Sequence, residues 1–146
     1  MYKQVIIARK DLNMSPGKLA AQVSHGSSAF LMSAVKQHIN KVIHPHAGEG
    51  HVYEVSMPID VEMYNQWFED GCTKVVLGAK NKNHLMKAVA MAEELGLVGG
   101  KDFFLINDLC RTELTPEGPE GTLTVLGFKP LPAELIDKIG RKYHLL

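Results

Sequence analysis

A lysine, a glutamine and a histidine stand at positions 18, 22 and 25 of this chain, inside the stretch "MSPGKLAAQVSHG" that runs from Met14 to Gly26. At about 100° per residue, Gln22 falls about 40° round a helix from Lys18, and His25 about 20° to the other side. An ammonium, an amide and an imidazole on one rigid face can bind a phosphate, hold an oxyanion or steer a water. The Gly17-Lys18 pair also suggests a phosphate loop, but it fails that pattern. Leu12 stands where the first glycine of G-x-x-x-x-G-K-[ST] belongs, and Leu19 where the hydroxyl belongs. Lys18 sits in the first turn of its helix, at the positive end of the dipole, where a cation costs ~0.3–1 kcal/mol. Either its stem packs on the surface with the charge in water, or it joins the free backbone N–H groups in an anion-attracting corner. Ser24 and His25 are no catalytic dyad, because adjacent helical residues diverge, and neither G-x-S-x-G nor H-E-x-x-H occurs.

A second group lies in "NDLCRTELTPEGPEGTLTVLG". Asp108 closes a strand, the place where α/β proteins set functional groups. Arg111 and Thr112 follow, and Thr124 lies inside the next strand. The plainer alternative is a turn-forming aspartate with a surface arginine. A third group, "HPHAGEGH", offers His44, His46, Glu49 and His51. No regular element fixes their geometry, so no metal site is expected there. Lys3, Arg9, Lys10 and Lys18 could form a basic patch near the N-terminus, or simply scattered solvated charge.

The elements that position these groups follow from pattern. With 146 residues, 45% of them hydrophobic, the chain fits one domain, residues 1–146, with a sizeable core. Sixteen basic residues balance sixteen acidic ones, which argues against a nonspecific nucleic-acid coat but leaves room for one local patch. No apolar run approaches the ~20 residues of a membrane span, and "MYKQVIIARKDLN" does not read as a signal peptide. Cys72 and Cys110 follow no ligand spacing, so a reducing, cytoplasmic setting is expected.

"KQVIIARKD" reads as a buried strand. Ser15 as N-cap and Pro16 at the first position open a helix to about Gln37, with Leu19, Val23, Phe30 and Ala34 inward. The signal weakens from His38 to Met57. Asp60 caps a second helix whose inward face is Val61, Tyr64, Trp67 and Phe68. "TKVVLGA" is a strand, followed by a helix with Leu85, Met86, Val89, Ala92 and Leu95 inward. "DFFLIND" and "GTLTVLGF" are two more strands, before a short helix "AELIDKIG". The alternation specifies an α/β domain, and the short path between the last two strands allows an antiparallel pair.

Taken together, "VIIARKDLNMSPGKLAAQVSHG", "KVVLGA", "INDLCRTEL" and "LTVLGFKPLPAELID" resemble the type 2 peptidyl-tRNA hydrolases in the correct order over nearly the whole chain. The resemblance implies a three-layer α/β/α domain with a four-stranded mixed sheet, one strand antiparallel, and helices on both faces. It also implies a homodimer that cleaves the ester between a peptidyl or N-acylaminoacyl group and the terminal ribose of tRNA, with no cofactor, membrane or obligatory metal. By motif position, Lys18, His25, Asp108, Thr112 and Thr124 would be catalytic. Arg9, Lys10, Gln22 and Arg111 would bind substrate. In that scheme Asp108 orients a water, helped by the two threonine hydroxyls. Lys18 supplies charge to the oxyanion or a phosphate, and His25 positions Lys18 or relays a proton.

The chain departs from the family pattern at Leu109 and Cys110, which replace Ala and Gly, and at Glu113, which replaces Gln. Bulk beside Asp108 could narrow the site, and the Glu113 carboxylate could repel phosphate. Residues 44–58 read as an insertion, and "TPEGPEG" is longer than usual. The alternative function is a non-catalytic RNA-binding or interaction module that kept the fold while its site drifted.

Overall fold

The computed structural model describes residues 1–46 and 50–146, with His46 described by its backbone alone. The β-rich run at the N-terminus forms β1 (Tyr2–Arg9), and the segment capped by Ser15 forms α1 (Pro16–His38). An exposed hairpin follows, β2 (Ile39–His46) and β3 (Gly50–Val55). Asp60 caps α2 (Val61–Met63), which widens into a π-helical turn over Tyr64–Phe68. Then come β4 (Lys74–Ala79), α3 (Lys82–Glu94), β5 (Phe103–Asp108) and β6 (Thr122–Phe128). Two-residue β7 (Leu131–Pro132), α4 (Ala133–Gly140) and two-residue β8 (His144–Leu145) finish the chain.

The architecture is α/β with a mixed sheet, as expected, but the main sheet has six strands rather than four. Its order is β5-β6-β1-β4-β8, with β7 pairing separately to β1. The four long strands match the four expected from sequence. β1 and β4 are parallel, and β6 runs against both β1 and β5. The two additional strands are too short to leave an alternation that a sequence can show. Residues 44–58 fall largely in the β2–β3 hairpin, and Ala47–Glu49 lie outside the described residues.

Alternation along β1 divides the core. Val5 and Ile7 join a large cluster with Leu85, Val89, Leu126, Phe128 and Ile136, drawn from α3, β6 and α4. Ile6 and Ala8 meet Val125, with Leu19 and Val23 of α1 packed against them. Three inward assignments from sequence are corrected. Met86 is exposed, and in the second helix only Trp67 is fully buried while Val61 and Tyr64 face solvent. The π-helical turn shifts the phase of that helix, so a 3.6-residue pattern misplaces its face. Trp67 instead stands edge-on to Phe30 at 6.0 Å and donates its indole N–H to the Thr73 carbonyl at 2.9 Å.

Two glycines set the depth of α1. A Cβ on Gly127 would overlap the Gly26 carbonyl, and one on Gly26 would crowd Val125 and Ile6. The absence of both side chains lets the helix backbone rest on β6, the close approach for which glycine is suited. The buried stripe of α1 is therefore Gln22, Gly26 and Phe30, not a purely apolar line. Polar ties complete the seat. The Gln4 amide donates to the Ser27 carbonyl at 2.7 Å and the Phe128 carbonyl at 2.9 Å, and the Ser27 hydroxyl donates back to Gln4 at 2.7 Å.

Candidate active site

The first turn of α1 meets the end of β5. Ser15 caps the helix by accepting the Lys18 backbone N–H at 3.3 Å. The Lys18 side chain crosses to β5, where Nζ lies 2.9 Å from Asp108 Oδ2, with the two side chains 11% and 13% exposed. Nζ also donates to the Thr112 hydroxyl at 2.9 Å. An ammonium has three donors, so one N–H is left beyond these two bonds. The lysine at the unfavourable end of its helix is thus matched by a carboxylate from another element.

Asp108 is engaged on both oxygens. Oδ2 also accepts the Cys110 N–H at 3.1 Å, and Oδ1 accepts a long 3.4 Å bond from the Gln22 amide. Burial alone would push this carboxyl upward. The Lys18 ammonium and the Cys110 N–H outweigh it and hold the group below the ordinary carboxylate range. Asp108 is accordingly a stable anion at neutral pH, suited to orienting a water and poor at taking a proton outright.

The network continues through the core. The Gln22 oxygen accepts the Thr124 hydroxyl at 2.6 Å, linking Thr124 through Gln22 to Asp108. A β-bulge makes this possible. Ile106 of β5 pairs with Val125 and Asn107 pairs with Leu123, so Thr124 is an extra residue in the ladder. Strict alternation would send Thr124 and Val125 to opposite faces. At the bulge both reach α1, Thr124 bonding Gln22 and Val125 packing beneath Gly26. The sequence carries no period that could have revealed this.

A cleft of about 510 Å³ opens over the group, with Lys18, His25, Asp108, Arg111 and Thr112 on its walls. The structure therefore brings together Lys18, His25, Asp108, Thr112 and Arg111, with Gln22 beneath them and Thr124 behind. Gln22 is only 3% exposed and lines the floor of the cleft, with its amide nitrogen on Asp108 and its oxygen on Thr124. His25 is exposed on the cleft wall, and the bonds that orient Lys18 come from Asp108 and Thr112.

Arg9 departs furthest from its expected place. Its side chain is 5% exposed. It donates to both Asp11 oxygens at 3.1 and 2.8 Å, to Glu117 at 2.8 Å and to the Leu123 carbonyl at 2.9 Å. Four of its five N–H groups are taken, which removes it from the expected phosphate-binding face. Lys10 remains exposed, its stem lying over Gly78.

The three departures from the family pattern acquire physical readings. Cys110 adopts φ +59°, a left-handed conformation that glycine enters without strain. Its backbone still delivers the N–H to Asp108, and its thiol lies 3.3 Å from the Asp108 carbonyl oxygen. Leu109 lines the cleft without closing it. Glu113 accepts the Ser15 hydroxyl at 2.6 Å and the Ser15 N–H at 2.8 Å, and these bonds hold its carboxyl below the usual range. Its charge is directed to the N-terminus of α1, and it secures the 109–113 loop against the helix.

Among the described residues, no three His, Cys, Asp or Glu side chains gather as metal ligands. His44 lies 3.9 Å from Glu54, while Glu49 and the side chain of His46 lie outside the described residues. No helix is long and apolar enough to cross a membrane.

Comparison with known proteins gives the family. The family model described as "Peptidyl-tRNA hydrolase PTH2" matches residues 2–146. The peptidyl-tRNA hydrolase of Methanopyrus kandleri is 37% identical over 147 residues, covering 100% of this chain and 99% of that protein. That of Thermococcus onnurineus is 35% identical over 138 residues, covering 94% and 92%. Human "Peptidyl-tRNA hydrolase 2, mitochondrial" is 36% identical over 138 residues, covering 94% of this chain and 60% of the longer human protein. By the extent of these matches, the chain belongs to the peptidyl-tRNA hydrolase PTH2 family.

Proposed function

We propose that this chain hydrolyses the ester joining a peptidyl group to the terminal ribose of tRNA, with the Lys18–Asp108–Thr112 cluster as its chemical centre. The observation that carries the site is the Lys18 ammonium, fixed by two partners at 2.9 Å and left with one donor at a cleft. Ester hydrolysis needs an oriented water and compensation for the negative oxygen of the tetrahedral intermediate. Asp108 Oδ1, held only by a long bond from Gln22, accepts a hydrogen bond from the attacking water without taking its proton and aligns the water's lone pair with the ester carbonyl. The remaining Lys18 N–H meets the oxyanion. The Thr112 hydroxyl accepts from Lys18 and keeps its own proton free to hold the water or the ribose oxygen. His25 relays the water's proton toward the leaving ribose hydroxyl. Thr124 and Gln22 keep Asp108 in register. Arg111 and Lys10 present charge to the tRNA backbone.

Around this centre we read the chain as one domain with helices on both sheet faces in three layers, acting as a homodimer without cofactor or obligatory metal. The two free cysteines fit a reducing compartment such as the cytoplasm. The decisive experiment is acyl release from N-acylaminoacyl-tRNA by the purified protein, with and without EDTA. Release at equal rates in both is expected. Tight binding without release would support the interaction-module alternative. Loss on chelation with recovery on zinc would return the histidine-rich hairpin to the site.

A further inference from the structure

A second cleft, about 780 Å³, adjoins the first, and His25 and Asn107 line both. It runs between α1 and β5, away from Asp108. Ala29, Met32 and Ser33 form its helical wall, and Phe104, Leu105 and Ile106 lie along the strand. Nothing in the chemistry above uses it.

β5 is an edge of the main sheet, so β6 takes hydrogen bonds from only one of its sides. Three contacts establish which residues face which way. The Asp102 carbonyl accepts from Lys129 N–H at 2.9 Å, and the Ile106 carbonyl lies 3.2 Å from the Thr124 hydroxyl, so even-numbered positions face β6. The Phe103 carbonyl faces the other way and accepts from Gly100 N–H at 2.8 Å. By alternation, the N–H and C=O of Leu105 and of Asn107 point outward from the sheet edge, beside the cleft.

We propose that this groove binds the peptidyl part of the substrate as an added β-strand on β5. The inference rests on the peptidyl-tRNA reading and deepens it by assigning a subsite. Continuity with the catalytic cleft fixes the direction. The esterified carboxyl end of the peptide sits at Lys18 and Asp108, so the peptide runs parallel to β5 with its N-terminus leaving past Phe104. Strand spacing of about 3.3 Å per residue gives room for roughly three peptide residues from Asn107 to Phe104. Main-chain pairing accepts any side chain, while Met32 adapts in shape and Ala29 leaves space. Recognition would then depend on peptide length more than on sequence.

Three substrates on one tRNA test this: an N-acetyl-aminoacyl ester, an N-acetyl-tripeptidyl ester, and the tripeptidyl ester with its internal amides N-methylated. The wild-type protein should show a KM at least fivefold lower for the tripeptidyl ester than for the single-residue ester, and methylation should erase that gain. Ala29→Trp, which fills the groove away from the catalytic groups, should raise KM for the tripeptidyl ester to the single-residue value and leave the latter unchanged. Because the methylated substrate probes the native protein, misfolding of the variant cannot decide the matter. Equal KM values for all three esters with wild type would overturn the subsite while leaving the hydrolase reading intact. If Ala29→Trp instead changed the oligomeric state in sedimentation with the substrates still indistinguishable, the strand edge would belong to a second copy and the proposal would fall. No hydrolysis of any ester would overturn the parent reading, and the subsite with it.

Discussion

Lys18 and Arg9 are both largely buried cations paired with carboxylates, yet they have opposite characters. Arg9 spends its fork on Asp11, Glu117 and a backbone carbonyl, tying the end of β1 to the turn before β6. Lys18 binds one carboxylate and one hydroxyl, faces a cleft, and keeps a donor in reserve. Burial differs little, at 5% against 11% side-chain exposure. Each keeps one N–H beyond its bonds, so what separates scaffold from site is the cleft onto which the Lys18 donor opens.

The sharpest way to break that contrast is to remove the charge at Asp108. Asp108→Asn keeps the shape but loses the anion that pairs Lys18 and that we propose holds the water. Turnover of peptidyl-tRNA should fall about 100-fold, within the usual range for a positioned acid–base group. A variant with near-native turnover would remove Asp108 from the chemistry.

Arg9→Ala should invert the pattern. It strands Asp11 and the Leu123 carbonyl and leaves Glu117 only the 4.0 Å contact with Lys82. Thermal denaturation should show a loss of about 2 kcal/mol, a Tm drop on the order of 5 °C, with activity per folded molecule reduced severalfold at most. If stability held while turnover collapsed, Arg9 and not Lys18 would be the functional cation.

Acid titration refines the comparison. The Asp108 carboxyl is depressed in the folded chain, so its ion pair contributes stability above the ordinary carboxylate pKa of about 3.9 and loses it as pH falls through the lower folded value. The stability gap between wild type and Asp108→Asn should therefore stay constant from pH 7 to 5 and close only below about pH 4. A gap that closed near pH 6 would mean that Asp108 is not held as an anion by Lys18.

The smallest effect concerns tRNA affinity. Lys10→Ala should lower the slope of log K against log salt by about 0.9, one phosphate contact, whereas Arg9→Ala should leave it unchanged because its charge is buried and already paired with two carboxylates. Filter binding over a salt series distinguishes the two. A reduced slope in the Arg9 variant would show that the clamp opens to meet RNA.

Much of this molecule is legible in its residues. The four long strands, the Ser15 and Asp60 caps and the run of α1 from Pro16 follow from local signals that tertiary packing did not override. The meeting of Lys18 with Asp108 was accessible only through the family resemblance, since 90 residues separate the two and no period connects them. Three features escaped for definite reasons. The π-helical turn breaks the helical phase, the burial of Gln22 depends on a partner from a distant strand, and the spending of Arg9 depends on a turn more than a hundred residues away.

The bulge at Thr124 separates the polar brace from the pairing of the strands. Deleting that one residue in thought leaves Val125 opposite Ile106 and Leu123 opposite Asn107, the pairs already present. The apolar ladder is complete without it. The hydroxyl that braces Gln22 and Asp108 occupies a surplus position, added between core residues instead of exchanged for one. The bulge thus places one fully buried hydroxyl against Gln22 without displacing a cross-strand pair.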